Sequence, residues 1–207
     1  MRRSKLCLLK SCLLKSCLLG MAVVSTLFLT ACSTPSYDYY QLQVTSDTGQ
    51  HADRSLGIVE VELPVWMTSD LLAWSDGGYR IHRLEFDRWG GDPEAMVTQT
   101  ISQNLGRLIG GKEVTTGPWF GNSRPEYVVS VKINNVIWDR NSVALNASWR
   151  IENRARQVVA VNTEYTDKVS VELSEPTESK NAETLVQGFS QLLAKLSENM
   201  VERLSDL

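Results

Sequence analysis

Three consecutive stretches between residues 127 and 171 alternate apolar with polar side chains, and this pattern restricts the possible folds more than any other feature. A period of two is typical of strands that bury one face and expose the other. Short polar links at 139–141 and 153–156 allow neighbouring strands to pair antiparallel. The sequence therefore predicts an antiparallel meander. Its inward-facing series are Tyr127, Val129, Val131 and Ile133, then Val143, Leu145, Ala147, Trp149 and Ile151, then Val159, Val161, Thr163 and Tyr165.

Two amphipathic helices are predicted, one before the meander and one after it. Asp92-Pro93-Glu94 is a helix start, with an N-cap acid, a proline at the first helical position and an acid in the first turn. Gly110-Gly111 ends this helix. A second helix is predicted over residues 178–205. The apolar stripes are Val97, Ile101, Leu105 and Leu108 in the first, and Leu185, Phe189, Leu192, Leu196 and Leu204 in the second.

Four shorter strands are predicted ahead of the first helix, at 39–44, 56–63, 71–74 and 79–84. Pro64 follows the second of them, and Ser75-Asp76-Gly77-Gly78 is typical of a hairpin turn. All these elements together predict an α+β protein of one domain. We expect a curved antiparallel sheet packed against two main helices, of which the second is C-terminal.

Residues 1–31 have the pattern of an export signal. A basic start is followed by an apolar run over residues 17–29. The run is shorter than the roughly 20 residues that a membrane-spanning helix needs. Leu29-Thr30-Ala31-Cys32 resembles the lipobox of bacterial lipoproteins, which predicts cleavage between Ala31 and Cys32 and a lipid on the Cys32 thiol. The alternative is an ordinary cleavage site beside an incidental cysteine. We predict a signal peptide (1–31), a lipidated tether (32–37) and a folded domain (38–207).

Loss of the signal peptide changes the cysteine count and the charge. Cys7, Cys12 and Cys17 leave with it, so Cys32 is the only cysteine of the mature chain. An internal disulfide and a cysteine-based zinc site are thereby excluded. The signal carries five basic and no acidic residues, so 16 basic and 24 acidic side chains remain, a net charge of −8. This charge opposes binding to nucleic acid, and we expect no cofactor besides the covalent lipid on Cys32.

The sequence contains few residues or motifs that indicate a catalytic or metal site. His82, Glu85 and Asp87 are a conceivable metal set, but their spacing on a strand splits them between two faces. His51, the other histidine, lies in a loop. Nucleophile-elbow, phosphate-loop, dinucleotide and zincin motifs are absent from the sequence. We therefore expect a protein without enzymatic activity and without a metal site.

Tryptophans near turns and strand ends are the candidates for partner binding. Trp66, Trp74 and Trp119 occupy such positions, where aromatic side chains often anchor interfaces. Packing of loop edges is the equally common alternative. Trp149 lies on an apolar face and is predicted to belong to the core.

The order of several segments resembles the ABC-type transport auxiliary lipoproteins, and within them most closely the paraquat-inducible protein C group. No single motif carries the likeness, which covers nearly the whole mature chain. The segments are Tyr39-Tyr40-Gln41-Leu42, residues 58–64, Arg88-Trp89, Asn104-Leu105, Val129-Ser130-Val131 and Ala147-Ser148-Trp149.

The resemblance implies a non-catalytic subunit of an MCE-type system, which moves lipids between the inner and outer membranes. Its implied partners are an MCE-type tunnel protein and that system's inner-membrane subunit, and its implied role is to dock the tunnel and support membrane integrity. Ser33 follows the lipidated residue where an aspartate would retain the protein at the inner membrane, so a periplasm-facing outer-membrane location is implied. Because MCE proteins form rings, a homo-oligomeric ring of this chain is a further hypothesis. Two alternatives stay open: a structural lipoprotein that scaffolds an envelope assembly machine, and a lipid-binding carrier.

Overall fold

Eight strands and two long helices are found in the residues that the computed structural model describes, which are 36–49, 54–110, 113–139, 141–171 and 178–206. Ala31, Cys32 and His51 lie outside the described residues. Residues 37–207 form one compact unit. The elements are β1 (Asp38–Tyr40), β2 (Leu56–Ile58), β3 (Leu71–Ser75), β4 (Ile81–Trp89), α1 (Pro93–Leu108), β5 (Thr115–Thr116), β6 (Tyr127–Trp138), β7 (Ser142–Asn153), β8 (Val158–Ser170) and α2 (Glu178–Ser205).

The predicted meander is confirmed as β6, β7 and β8, which pair antiparallel in chain order. Val131 lies opposite Trp149 on β7, and Leu145 lies opposite Asp167 on β8. Irregularities in the register occur between Ile133 and Asn135 and at two places in the β7–β8 pair. Such bulges bend a sheet, as a sheet that wraps around helices requires.

The rest of the sheet is mixed, whereas the sequence predicted an antiparallel arrangement throughout. β1 runs parallel to β4, and β2 lies parallel to both β5 and β6. β3 and β4 form the predicted antiparallel hairpin, and Ser75 at the end of β3 makes one parallel bridge to Ile137. Parallel pairing needs a long connection between the partners. β2 and β3 lie between β1 and β4 in the chain, and the connection from β2 to β5 and β6 contains the β3–β4 hairpin and α1.

The first two strands are shorter than predicted, because the chain leaves the sheet after β1 and pairs only irregularly with β6 after β2. Residues 41–49 carry no strand and instead run along the helices, where the Gln43 amide donates to Ser190 Oγ at 3.1 Å. After Ile58 the chain stays beside β6: the Val59 amide donates to the Val129 carbonyl at 3.0 Å, and Glu62 forms an isolated parallel bridge with Lys132. Alternation alone therefore overestimated the length of both strands.

Both helices begin and pack as their sequences predict. Asp92 is the N-cap of α1, and its carboxylate accepts a hydrogen bond from the Ala95 amide at 2.8 Å. α2 contacts α1 as well as β7 and β8. Gly188 lets α2 approach β7 closely, because a Cβ at this position would lie 2.6 Å from Cγ2 of Val143.

Apolar side chains fill the space between the curled sheet and the two helices. The sheet contributes inward-facing residues of β6 and β7, and each helix contributes its predicted stripe, except that Ile109 at the end of α1 is buried where Leu108 was predicted. The fold class, α+β with one domain and a C-terminal helix, is confirmed. Among the largest fully buried side chains are Ile101, Leu105, Ile133, Leu145, Ile151, Phe189, Leu192 and Leu193.

Candidate functional site

Trp74 is a packing residue of the β3–β4 hairpin. Its ring stacks on His82 with centroids 5.3 Å apart, and it meets Trp138 edge-on at 4.9 Å. His82 also lies 3.5 Å from the Asp76 carboxylate. These contacts hold Trp74 half-buried, so only part of the ring is available to a partner.

The conceivable metal set is not assembled in the described part of the chain. Glu85 is exposed, whereas Asp87 is buried with 4% of its surface accessible. His82 is engaged by Trp74 and Asp76. Groups of three or more potential metal ligands are not found among the described residues.

Trp119 closes the edge of the sheet beside β5. Its indole N–H donates to Thr115 Oγ1 at 3.0 Å, and its ring lies against the backbone of Gly57 and Gly117. The ring is half-buried. The next residue, Phe120, is 81% exposed, and it therefore presents more apolar surface to a partner than the predicted Trp119 does.

Trp66 shows the same relationship with its neighbour. It lies in a short 3₁₀ turn, Val65–Met67, directly after Pro64, and it packs against the core while half-buried. Val65 is 88% exposed. Residue type in the sequence does not reveal which side chain of a turn points outward, and both exposed neighbours were missed for this reason.

Trp66, Trp74 and Trp119 are not brought together by the fold. Trp74 belongs to β3, whereas Trp119 follows β5, and β6 and β2 lie between these two strands in the sheet. The three side chains therefore do not form a single site. Each of them is a separate candidate contact.

Exposed aromatic side chains gather where the described chain begins. The Tyr37 ring lies 6.4 Å from the Phe86 ring, and the Arg88 guanidinium lies 4.3 Å from the Tyr37 centroid. Arg88 also pairs with Asp70. Tyr39 lies beside Arg88 in the β1–β4 register. We call Tyr37, Tyr39 and Phe86 the N-terminal edge patch.

The segment from Gln41 to Gly49 fastens this end of the chain to the helices. The Ser46 amide donates to Asn104 Oδ1 at 3.1 Å, and the Ser46 hydroxyl donates to the Asn104 carbonyl at 3.3 Å. Both residues are buried. Arg107 adds contacts to the carbonyls of Val44 and Ser46 at 3.4 Å. These hydrogen bonds connect the chain directly after β1 to α1, and the Gln43 amide connects it to α2.

A depression of about 300 Å³ on the sheet is lined by side chains of β6, β7 and β8. Its two cationic side chains are already paired: Lys132 lies 3.8 Å from Glu62, and Arg150 lies 3.3 Å from Glu152. The depression therefore offers a charge-balanced surface. Such a surface gives weak recognition of a charged ligand.

Comparison with known proteins finds one matching family model and the same fold in solved structures of low sequence identity. The family model described as the ABC-type transport auxiliary lipoprotein component matches residues 40–201. A crystal structure of a Xanthomonas campestris protein of family DUF330 is similar at 11% identity and a TM-score of 0.64, over 81% of this chain and 97% of that one. The structure of an uncharacterized protein is similar at 14% identity and a TM-score of 0.57, over 80% of this chain and 99% of that one. None of the curated proteins compared matches the sequence.

Proposed function

The chain belongs to the family of ABC-type transport auxiliary lipoprotein components, and from this membership we propose that it is a non-catalytic subunit of an MCE-type intermembrane lipid transport system. The observation that carries the proposal is the family match over residues 40–201. The proposed role is to dock the periplasmic end of the tunnel at the outer membrane and so support membrane integrity.

The proposed anchor is a lipid on Cys32, and the proposed location is the periplasmic face of the outer membrane. The lipobox-like Leu29-Thr30-Ala31-Cys32 and the following Ser33 support this location. The mature chain has a net charge of −8, so general attraction to anionic head groups does not hold it. Acyl chains supply about 0.8 kcal/mol for each buried CH₂ group.

A docking role agrees better with the interior of the domain than a carrier role does. Large side chains of α1, α2 and the sheet fill the space where a lipid would lie, and Ile101, Leu145 and Phe189 are each at most 2% exposed. A bound acyl chain would have to displace them, which costs the free energy of their close packing. The carrier alternative therefore requires a rearrangement that the docking role does not.

The proposed contacts with the tunnel are Trp66, Trp74 and Trp119 together with two exposed neighbours, Val65 and Phe120. The last two expose 88% and 81% of their surface. Exposed apolar side chains beside half-buried aromatic rings are a common composition at the centre of interfaces. Because the three tryptophans lie apart, a partner would have to span a broad surface to reach them all.

Crosslinking in intact cells tests the proposal. The lipidated protein should co-purify with an MCE-type protein after a membrane-permeable crosslinker is applied, and with that system's inner-membrane subunit when the complex stays intact. Repeated recovery of a β-barrel protein or of murein instead would support the scaffold alternative. Bound lipid on the folded domain in native mass spectrometry would support the carrier alternative.

We also propose a homo-oligomeric ring, since MCE-type partners form rings. A ring of identical subunits joined by one repeated interface can match the symmetry of such a partner. Size-exclusion chromatography with light scattering measures the mass directly. A monomeric mass at high protein concentration would contradict the ring.

A further inference from the structure

The corner formed by β1 and the β3–β4 hairpin holds a large share of the exposed apolar surface. In the described part of the chain nine large apolar side chains are exposed, and five of them lie on β1, on β4 or shortly before one of these strands. Such a number on the edge strand of the sheet and its neighbour is unusual for a surface that faces only water. The five are Tyr37, Tyr39, Tyr79, Ile81 and Phe86, with exposed fractions of 42%, 66%, 108%, 43% and 37%.

The chemistry of this corner combines aromatic rings with arginines. Tyr79 lies at the tip of the hairpin beside the exposed Arg80, and Arg83 is exposed further along β4. Tyr37 lies over the Arg88 guanidinium, whose position is fixed by Asp70. Tyrosine and arginine are the side chains that favour the boundary between hydrocarbon and water, because each has an apolar body and a polar end.

We infer that the N-terminal edge patch, with the tip of the β3–β4 hairpin, rests on the surface of the membrane that holds the acyl chains of Cys32. The inference rests on the lipid anchor of the proposed function. Five residue steps separate Cys32 from Tyr37, and an extended chain spans at most about 3.6 Å per residue, or roughly 18 Å in total. Tyr37, where the patch begins, therefore stays within that distance of the membrane surface, and the Phe86 ring lies 6.4 Å from the Tyr37 ring.

Membrane contact follows from this short reach and from the segment that follows the patch. Gln43 donates a hydrogen bond to α2, and Ser46 donates one to α1, directly after β1. The tether can therefore become longer only if these hydrogen bonds break and residues 38–46 detach from the domain. An anchored domain on so short a tether collides continually with the bilayer, and the exposed aromatic corner nearest the tether is the surface that gains from burial there. The consequence is a fixed orientation of the domain on the membrane.

Fluorescence quenching by spin-labelled lipid tests this orientation. The full chain is produced in bacteria, purified in its lipidated form and reconstituted in vesicles of phosphatidylethanolamine and phosphatidylglycerol. Because the lipid occupies the only thiol of the mature chain, a single new cysteine can carry an environment-sensitive dye. Tyr39→Cys and Phe86→Cys report on the patch. Thr166→Cys, an exposed position on β8, is the matched control, since four strands separate β8 from β1.

We expect a loss of fluorescence at positions 39 and 86 when the vesicles contain spin-labelled lipid, and no loss at position 166. Equal fluorescence at all three positions would overturn the inference. So would a blue-shifted dye at position 39 that spin-labelled lipid does not quench, which would indicate a second copy or a protein on the patch. A purified chain that fails to float with vesicles has no working anchor and likewise overturns it. The vesicles contain no transport protein, so failure of the proposed transport role leaves these results unchanged.

Discussion

Trp119 lies over Gly57 so closely that a Cβ at position 57 would come within 2.4 Å of Cζ2 in the indole ring. Pro125 closes the same space from another side, with its Cγ 2.5 Å from that position. Gly57 is buried in β2, between β5 and β6. The loop after β5 therefore folds back over its own sheet because one residue of β2 lacks a side chain.

Gly57→Ala should destabilise the protein by about 1–3 kcal/mol, because the added methyl group forces Trp119 or the backbone to move. Urea unfolding followed by tryptophan fluorescence measures the change. Gly91→Ala is the matched control, since its Cβ would meet nothing nearer than Met96 at 4.0 Å. We expect the control to change stability by less than about 0.5 kcal/mol. Equal stability of the two variants would contradict the close approach of Trp119 to Gly57.

Local chemistry explains which parts of this fold the sequence predicts correctly. The hydrogen bonds of the Asp92 N-cap and of the polar link that begins at Asp139 join residues three apart in the sequence, so a short sequence pattern is enough to predict them. The alternation in β6 and β7 indicates both the strands and their buried face, whereas in β8 the predicted inward residues Val161 and Thr163 are exposed and Tyr165 is buried. These features together are enough to predict the meander, both helices and the fold class.

Long-range pairings are what the sequence could not reveal. β1 pairs with β4 across more than 40 residues, and its three residues are too short to carry a distinct pattern. Which side chains can contact a partner depends on their exposure, and in a turn that exposure depends on how the turn packs against the sheet. Val65 and Phe120 are therefore exposed beside Trp66 and Trp119, although the tryptophans have the more conspicuous side chains.

Asn104→Ala should destabilise the protein by about 2 kcal/mol and loosen residues 41–49. Asn104 is fully buried and accepts the Ser46 amide through Oδ1, so its loss leaves a buried donor without that partner. Hydrogen exchange at the Ser46 amide should accelerate in the variant. Gln103→Ala, at an exposed position of the same helix, is the control. Unchanged exchange at Ser46 in the Asn104 variant would show that other contacts hold the segment.

The hairpin between β6 and β7 should make stability depend on pH through Asp139. Its carboxylate accepts hydrogen bonds from the Ser142 hydroxyl at 2.8 Å and the Ser142 amide at 2.7 Å, and Lys168 lies 3.1 Å away. The Ser142 hydroxyl, then Lys168, lowers the pKa of Asp139 to about 2. Because the pKa is lower in the folded chain, this stabilisation is complete above the unfolded pKa of about 3.9 and is lost as the pH falls towards 2.

The difference in unfolding free energy between the wild type and Asp139→Ala measures this contribution. We expect about 1 kcal/mol at pH 7 from the lost hydrogen bonds, shrinking between pH 4 and pH 2. Lys168→Ala removes only the exposed ion pair and should cost less, roughly 0.5 kcal/mol. A difference that stays constant down to pH 2 would mean that the hydrogen bonds do not require the charged carboxylate.

Cys32→Ala should abolish lipid anchoring. Without the thiol there is no atom to alkylate, so the chain either keeps its signal peptide or is released into the periplasm. Fractionation of membranes with mass spectrometry of the N-terminus distinguishes these outcomes. Cys17→Ala, which changes a cysteine of the predicted signal peptide, is the matched control and should leave lipidation intact. A Cys32 variant that still fractionates with the outer membrane and complements fully would refute the anchor.

Phe120→Ala should weaken partner binding without destabilising the domain. Trp119→Ala should destabilise the domain, whether or not it also weakens partner binding. Phe120 is 81% exposed, so its removal changes the folded chain by less than about 0.5 kcal/mol. Trp119 fills the space over Gly57 and donates to Thr115, so its truncation costs about 2–3 kcal/mol. Crosslinking yield with the MCE-type protein, measured beside urea unfolding, separates the two effects. A yield that falls only with Trp119→Ala, in step with lost stability, would remove this loop from the docking surface and leave Val65 and Trp74 as the contacts to test.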